Sequence, residues 1–352
     1  MVSKENPIAL LEGLKKRAMG FFYKQAQPSA SQIVGVDIGN SHLLVLALEK
    51  NQGSIELVHL RLEPRPNSPE VISERLKTIF KEDRLETRQI RTILKSEGMV
   101  IRILNFPHMK KNEIASMLQY EVEKYIPFKA SEVFLDFQIM RENVQQGDLK
   151  FDEVLLAAVK QAEIEKLIAI FQNAGVTLEM IDVCAFTLAN LIEFAYPDYM
   201  TKPLGFLDMG TESSTFGIML RGKPTFIRVI SFGGSDIVKL LKRKQALQQD
   251  PQSATDAKGL GEQAIAGLVS ELKLSVGYYL DHVQDAEPVQ ALFVSGGGFR
   301  ALDDLSHLEK GIGIPTSRLD FLSQIKVSPR LNASILIENQ DLIEPALGVC
   351  IR

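Results

Sequence analysis

Short apolar runs broken by glycine turns dominate the chain after residue 32. Ile33–Asp37 reads as a strand running into a turn at Gly39. Leu43–Leu48 reads as a second strand, and Asn51-Gln52-Gly53 as a hairpin turn into a third, Ile55–Leu62. Pro64–Pro69 interrupts the pattern, and Glu70–Phe80 follows as a helix with Val71, Leu76, Ile79 and Phe80 as its apolar positions. The same order then returns. Phe206–Asp208 ends at the turn Met209-Gly210-Thr211-Glu212, Ser213–Leu220 is a second strand, and Arg221-Gly222-Lys223 turns into a third, Pro224–Ser231. Val36-Asp37-Ile38-Gly39 aligns with Leu207-Asp208-Met209-Gly210, with the two aspartates 171 residues apart. A repeat at about half the chain length predicts two similar α/β domains, each opening strand–Asp-x-Gly–strand.

Three further segments complete the pattern. Pro288–Ser295 reads as a strand entering Gly296-Gly297-Gly298, with Phe299–Leu305 helical after it. Glu262–Leu280 is a helix with Ile265, Leu268, Leu272, Val276 and Tyr279 on one face. Between the repeats, Asn112 is placed to cap a helix whose Ile114, Met117, Leu118, Val122 and Tyr125 share a face, ended by Pro127. With strands Val133–Met140 and Val154–Val159 it reads as a small inserted subdomain. Ahead of everything, Asn6–Lys24 spaces Leu11, Leu14, Ala18 and Phe22 helically. The leader carries five basic and two acidic residues, and Gln27–Ser31 reads as a linker. Such a helix can lie on an anionic membrane, dock on a partner, or pack weakly on its own domain.

Composition narrows the function classes. A chain of 352 residues, 45% hydrophobic and 24% charged, suits about two domains. A net charge of −4 excludes a broadly basic nucleic-acid binder. Two cysteines, Cys184 and Cys350, exclude a disulfide scaffold and point to a reducing, cytoplasmic setting. The five histidines lack metal-ligand spacing. No apolar run reaches the ~18 residues needed to cross a bilayer, and the N-terminus lacks a signal-peptide apolar core.

An aspartate ending a strand before a glycine turn has a definite chemical use. The glycine lets successive N–H groups converge on an anion, and the carboxylate can hold Mg2+ that offsets phosphate charge. Asn40-Ser41-His42 and Thr211-Glu212-Ser213-Ser214 add side-chain donors, so two such hairpins could clamp a nucleotide's phosphates. The triple glycine permits close approach to a flat base, and Gly233-Gly234 follows the last strand of the second repeat. Gly217–Lys223 imitates a P-loop, but Pro224 stands where its Ser/Thr belongs and the lysine lies in a hairpin.

These motifs resemble the PilM family of type IV pilus assembly proteins, within the actin-like superfamily that includes FtsA. Gly35–Ser41 looks like its first phosphate motif, Leu207–Thr211 its second, and Ser295–Gly298 its adenosine motif. More specific is Phe106-Pro107-His108-Met109 followed by Tyr125-Ile126-Pro127-Phe128. Glu153–Ala158, Ala185–Asn190 and Pro345–Gly348 also look like the family. The resemblance implies a duplicated two-domain α/β fold of the actin-like (ribonuclease H-like) kind, with a central nucleotide cleft and an FtsA-like 1C insertion. It implies ATP with Mg2+ as ligands. Asp37, Gly39, Asn40, Ser41, Asp208, Gly210, Thr211, Ser213, Gly233, Gly234, Gly296, Gly297 and Gly298 would face the nucleotide, and Asp37 and Asp208 the metal. Glu271 and Ser275 would reach ribose and adenine, and Asn190 would stand near the attacking water.

The family's partner is implied in the same way. The insertion would help form a groove for the short N-terminal tail of a membrane-anchored PilN-like protein, with Met117, Tyr120, Glu121 and Tyr125 as contacts. Other inner-membrane pilus components, peripheral membrane association and homo-oligomerisation are compatible with it. The domains expected are a leader and linker (1–31), a first domain (32–200) with the insertion at about 105–154, a second domain (201–340) with a smaller part at about 236–290, and a C-terminal helix (341–352) returning to the first domain. Gln245–Gly261 is expected as a mobile loop. Departures are visible. Leu44 stands where the family usually has lysine, His42 follows Ser41, and Glu212 replaces a small hydroxyl residue. A carboxylate beside phosphate is repulsive, so slow or absent hydrolysis is expected. Three alternatives stay open: a sugar or acetate kinase of the same superfamily, a GspL-like type II secretion component, and an FtsA-like membrane-tethered filament protein.

Overall fold

A computed structural model describes residues 32–351 apart from 52–53, 86–88, 97, 147–148, 249–259, 284 and 303. The leader and most of the Gln245–Gly261 stretch lie outside the described residues. The chain packs as two compact units: residues 67–182 form one, and residues 32–66 with 183–351 the other.

The second unit opens with the meander that the glycine turns foreshadow: β1 (Gln32–Ile38), β2 (His42–Asn51) and β3 (Ser54–Pro64). β1 and β2 pair antiparallel with Asp37 opposite Leu44, and β2 pairs antiparallel with β3. Val34, Val36 and Leu43–Leu48 are buried, the continuous apolar run expected of strands covered on both faces.

Residues 67–182 hold two layers. α1 (Pro69–Glu82) starts at Ser68, whose hydroxyl accepts the Val71 N–H, with Pro69 in the first turn. It buries Ile72, Leu76, Ile79 and Phe80, while Val71, expected on that face, is 55% exposed. β4 (Gln89–Leu94) follows, then β5 (Val100–Pro107), α2 (Lys111–Glu121), β6 (Val133–Gln146), β7 (Leu149–Lys160), α3 (Gln161–Asn173) and β8 (Leu178–Val183). β4 pairs with β8, while β5, β7 and β6 form a separate three-stranded antiparallel sheet in that order. α2 closes this sheet with Ile114 and Leu118, joined by Val122 in the 3-10 turn just after it, against Phe106, Phe137, Val154 and Leu156. β5 was not anticipated, because Ile101, Ile103 and Leu104 sit among polar and turn residues. Nor does Asn112 cap α2. The chain enters at Lys110, whose N–H donates to Glu113 Oε2 at 2.7 Å.

The second unit resumes with α4 (Cys184–Ala195) and a second meander, β9 (Leu204–Met209), β10 (Ser214–Leu220) and β11 (Lys223–Ile230). Helices α5 (Gly234–Gln248) and α6 (Leu260–His282) precede β12 (Ala291–Ser295), α7 (Ser306–Ile312), β13 (Thr316–Arg318), β14 (Lys326–Val327), α8 (Ala333–Glu338) and α9 (Gln340–Ile351). The sheet runs β11-β10-β9-β12-β13, with β12 parallel to β9 and Ser295 opposite Asp208. Leu268, Leu272 and Tyr279 of α6 fill its core with Leu207, Phe216 and Phe299. The helix expected over Phe299–Leu305 is a 3-10 turn, Gly297–Ala301, and α7 begins only at Ser306. β14 pairs parallel with β3, so this unit also holds the order β14-β3-β2-β1.

Candidate functional site

Both Asp-x-Gly turns lie in the second unit, and in each the aspartate is the next-to-last residue of its strand. Asp37 is fully buried, and His42 folds back over Gly39 so that its Nε2 sits 3.3 Å from Asp37 Oδ2. Asn40 and Ser41 stand exposed at the tip. Leu44, at the position expected to be lysine, is a wholly buried core residue.

The second turn is built more elaborately. Gly210 N–H donates to Ser213 O at 2.9 Å, which closes the hairpin. Gly234 N–H donates to Gly210 O and Ser235 N–H to Thr211 O, both at 2.9 Å, so the start of α5 is laced onto the turn. Glu212 does not face the turn's hollow unpartnered, because Ser235 Oγ donates to its Oε2 at 3.2 Å. A carboxylate beside the first turn of a helix is also favoured by the helix dipole.

The triple glycine completes this cradle. Gly296 has φ +95°, a left-handed conformation, and a Cβ there would lie 2.6 Å from Asp208 Oδ1. A Cβ on Gly234 would lie 2.7 Å from Gly298 Cα. Asp208, Gly210, Thr211, Ser213, Gly233, Gly234, Gly296, Gly297 and Gly298 are thus gathered into one knot of main chain. Only glycine lets its strands of backbone approach so closely.

α9 links this knot to the first turn. Gly296 N–H donates to Asp341 O at 3.2 Å at the head of α9, and further along the helix packs on β1, where a Cβ on Gly35 would lie 2.5 Å from Ala346 O. Arg318 holds the Asp341 carboxylate at 2.9 and 3.0 Å. One turn on, Glu344 is fully buried, with neither carboxylate oxygen in a hydrogen bond of normal geometry. Burial pushes its pKa well above 4.5, and the charges of Asp341 and Asp208 push the same way against the nearby Ser295 and Gln340 side chains. Reading the sequence for turns missed Glu344. Its signal was a lone carboxylate inside the apolar run Leu342–Val349.

Three expected residues lie on helices of this unit. Asn190 lies six residues beyond Cys184, and it is Cys184 that reaches Asp208, with Sγ 3.1 Å from Oδ2. Glu271 and Ser275 sit on α6 and are bound by Arg228 of β11, at 2.6 Å to Glu271 Oε2 and 3.2 Å to Ser275 Oγ. Of the peptide candidates on the other unit, Tyr120 is 85% exposed, Met117 and Glu121 are half-buried, and Glu121 pairs with Lys124. Tyr125 packs edge-on against Phe106 at 5.9 Å and so belongs partly to the core.

Asp37 and Asp208, which end the two strands, are hard carboxylate donors of the kind Mg2+ accepts. Among the described residues no group of three or more metal-ligating side chains occurs.

Duplicated three-strand meanders, each opening on an Asp-x-Gly turn, define an actin-like α/β fold. The chain belongs to the PilM family of type IV pilus assembly proteins, whose profile matches residues 35–352. Among solved structures it is similar to a PilM–PilN type IV pilus biogenesis complex, at 22% identity and TM-score 0.78, covering 92% of this chain and 99% of that one. Looser matches are the ethanolamine utilization protein EutJ of Carboxydothermus hydrogenoformans (12% identity, TM-score 0.49, 99% of both chains) and the cytoplasmic domain of EpsL, an inner-membrane type II secretion component of Vibrio cholerae (12%, 0.44, 89% and 95%). Neither carries weight for function. Among the described residues no helix is long and apolar enough to cross a membrane.

Proposed function

We propose that this protein is a cytoplasmic, ATP-binding scaffold of type IV pilus assembly, held at the inner membrane through its partners. Mg-ATP would sit on the glycine cradle of the second unit, and the inserted subdomain would hold the N-terminal tail of a PilN-like membrane protein. The observation that carries the nucleotide half is the convergence of the Gly210, Gly234 and Gly296–Gly298 main chain at Asp208. The N–H groups of Gly210, Gly234 and Gly296 are spent on the Ser213, Gly210 and Asp341 carbonyls, so phosphate would be met by the exposed turn tip at Thr211 beside them. Bound Mg2+, held by Asp37 and Asp208, would offset the charge of the triphosphate. Gly39, Asn40 and Ser41 would close on the phosphates from the first turn.

Hydrolysis is slow or absent on this reading. His42 already lies on Asp37, Leu44 stands where a lysine is expected, and the Asp208 carboxylate is met by Cys184. The adenosine roles of Glu271 and Ser275 require Arg228 to move or to join them. Nucleotide then acts by favouring whichever arrangement of the two turns binds it better.

The partner half draws on family membership, on the PilM–PilN complex to which the fold is similar, and on the exposed Tyr120 beside Met117 and Glu121. Anisotropy titration of a labelled PilN-like tail peptide into the full-length protein tests it. Saturable binding that weakens in Tyr120→Ala supports this placement; binding indifferent to Tyr120 refutes it.

A further inference from the structure

The inserted subdomain has a concave site. Where β5 turns into α2, a cavity of about 410 Å³ opens, lined by His108, Met109, Lys110, Lys111, Gln138, Ile139 and Glu142. That size suits a few side chains of a bound segment. Its walls are fixed by one buried group. Asp152, on β7, accepts hydrogen bonds from His108 Nδ1 at 2.9 Å, Met109 N–H at 3.3 Å and Asn143 N–H at 2.9 Å. Two residues of β6, Glu142 and Asn143, bulge opposite Asp152, and Asn143 has φ +53°. The same carboxylate therefore pins the 108–109 wall, the bulged wall and the His108 ring, which presents Nε2 as its remaining polar atom.

The chemistry of the lining is one-sided. Lys110 and Lys111 bring two ammonium groups, that of Lys111 5.7 Å over the Phe137 ring, against the one exposed carboxylate of the lining, Glu142. The Asp152 carboxylate is spent on its three donors. Glu113 is turned away onto the Lys110 backbone. Met109 and Ile139 supply apolar surface, and Gln138 an amide suited to a peptide backbone. β6 is an edge strand, so an extended segment can lie along this rim. We infer that this cavity is a docking site for an acidic partner segment, one in which carboxylates alternate with apolar side chains. It is separate from the Tyr120 surface, because Lys111 and Tyr120 lie at opposite ends of α2, ~14 Å apart at 1.5 Å per residue. Together with the proposed tail site, one subdomain would then hold two partners at once; the acidic-segment site stands apart from the PilN-like assignment.

The test uses the full-length protein and a fluorescein-labelled decapeptide of alternating Glu and Leu, with an alternating Gln and Leu peptide as control. The Glu peptide should bind at least about tenfold tighter than the Gln peptide and weaken as salt rises. Joint Lys110→Glu and Lys111→Glu should cost at least about tenfold. Tyr120→Ala should cost nothing, and circular dichroism should show all variants folded. Equal affinity for the two peptides, no binding, or indifference to the lysine reversal overturns the inference. So does full displacement by inorganic phosphate at constant ionic strength, which would assign a small-anion site.

Discussion

Cys184 lies with its Sγ 3.1 Å from Asp208 Oδ2, so the start of α4 and the end of β9 share a buried polar contact. A thiol donor to a carboxylate orients it without adding charge. Cys184→Ala removes that donor and should cost about 1–3 kcal/mol of stability, whereas Cys184→Ser, which keeps an O–H, should cost less. Urea unfolding of the two variants checks the order.

Glu344 makes stability depend on pH in an unusual direction. Folding raises its pKa well above 4.5, so the folded chain holds a proton that the unfolded chain releases between 4.5 and the folded value. The stability tied to that proton is present at low pH and is lost as pH rises through this window. Glu344→Gln has nearly the same volume and no charge. Between about pH 5 and about pH 9, the wild-type unfolding midpoint should fall relative to the variant. Parallel curves would mean that Glu344 is ionised in the folded state.

Gly348 sets the crossing of α9 and α4, since a Cβ there would run into the Thr187 carbonyl. Gly348→Ala should destabilise by about 1–3 kcal/mol through overpacking. Thermal unfolding reads this directly, and a stabilised variant would show the two helices free to separate.

Much of this was legible from the chain. Both hairpins announced themselves, because a glycine after Asp37 and another after Asp208 end runs too apolar to be anything but buried strands. The cradle around Asp208 was legible only in part. Gly233 and Gly234 were singled out by their spacing, but that Gly234 lies against Gly298 is a long-range contact no local pattern encodes. Cys184 on Asp208 and Arg228 on Glu271 went unread for the same reason, whereas His42 on Asp37 is a contact across only five residues, set by how the side chain folds over the Gly39 turn. The triple glycine misled in one respect: φ +95° at Gly296 sends the chain into a 3-10 turn before a helix can start.

Tyr120 and Tyr125 should separate recognition from folding. Tyr120 is 85% exposed, so Tyr120→Ala should leave stability within about 0.5 kcal/mol and weaken tail-peptide binding about tenfold or more. Tyr125 packs on Phe106, so Tyr125→Ala should lower the unfolding temperature as well. Calorimetric unfolding beside the peptide titration distinguishes the two.

Isothermal titration of Mg-ATP into the full-length protein, into Asp208→Ala and into Gly298→Val probes the cradle itself. A Cβ at position 298 would lie 2.8 Å from Gly210 O, so valine must pry the knot of main chain apart. The expected result is saturable binding to the wild type and binding at least about tenfold weaker in both variants, which remain folded. Binding of equal strength in all three proteins, or none in the wild type, would contradict a nucleotide held at this knot.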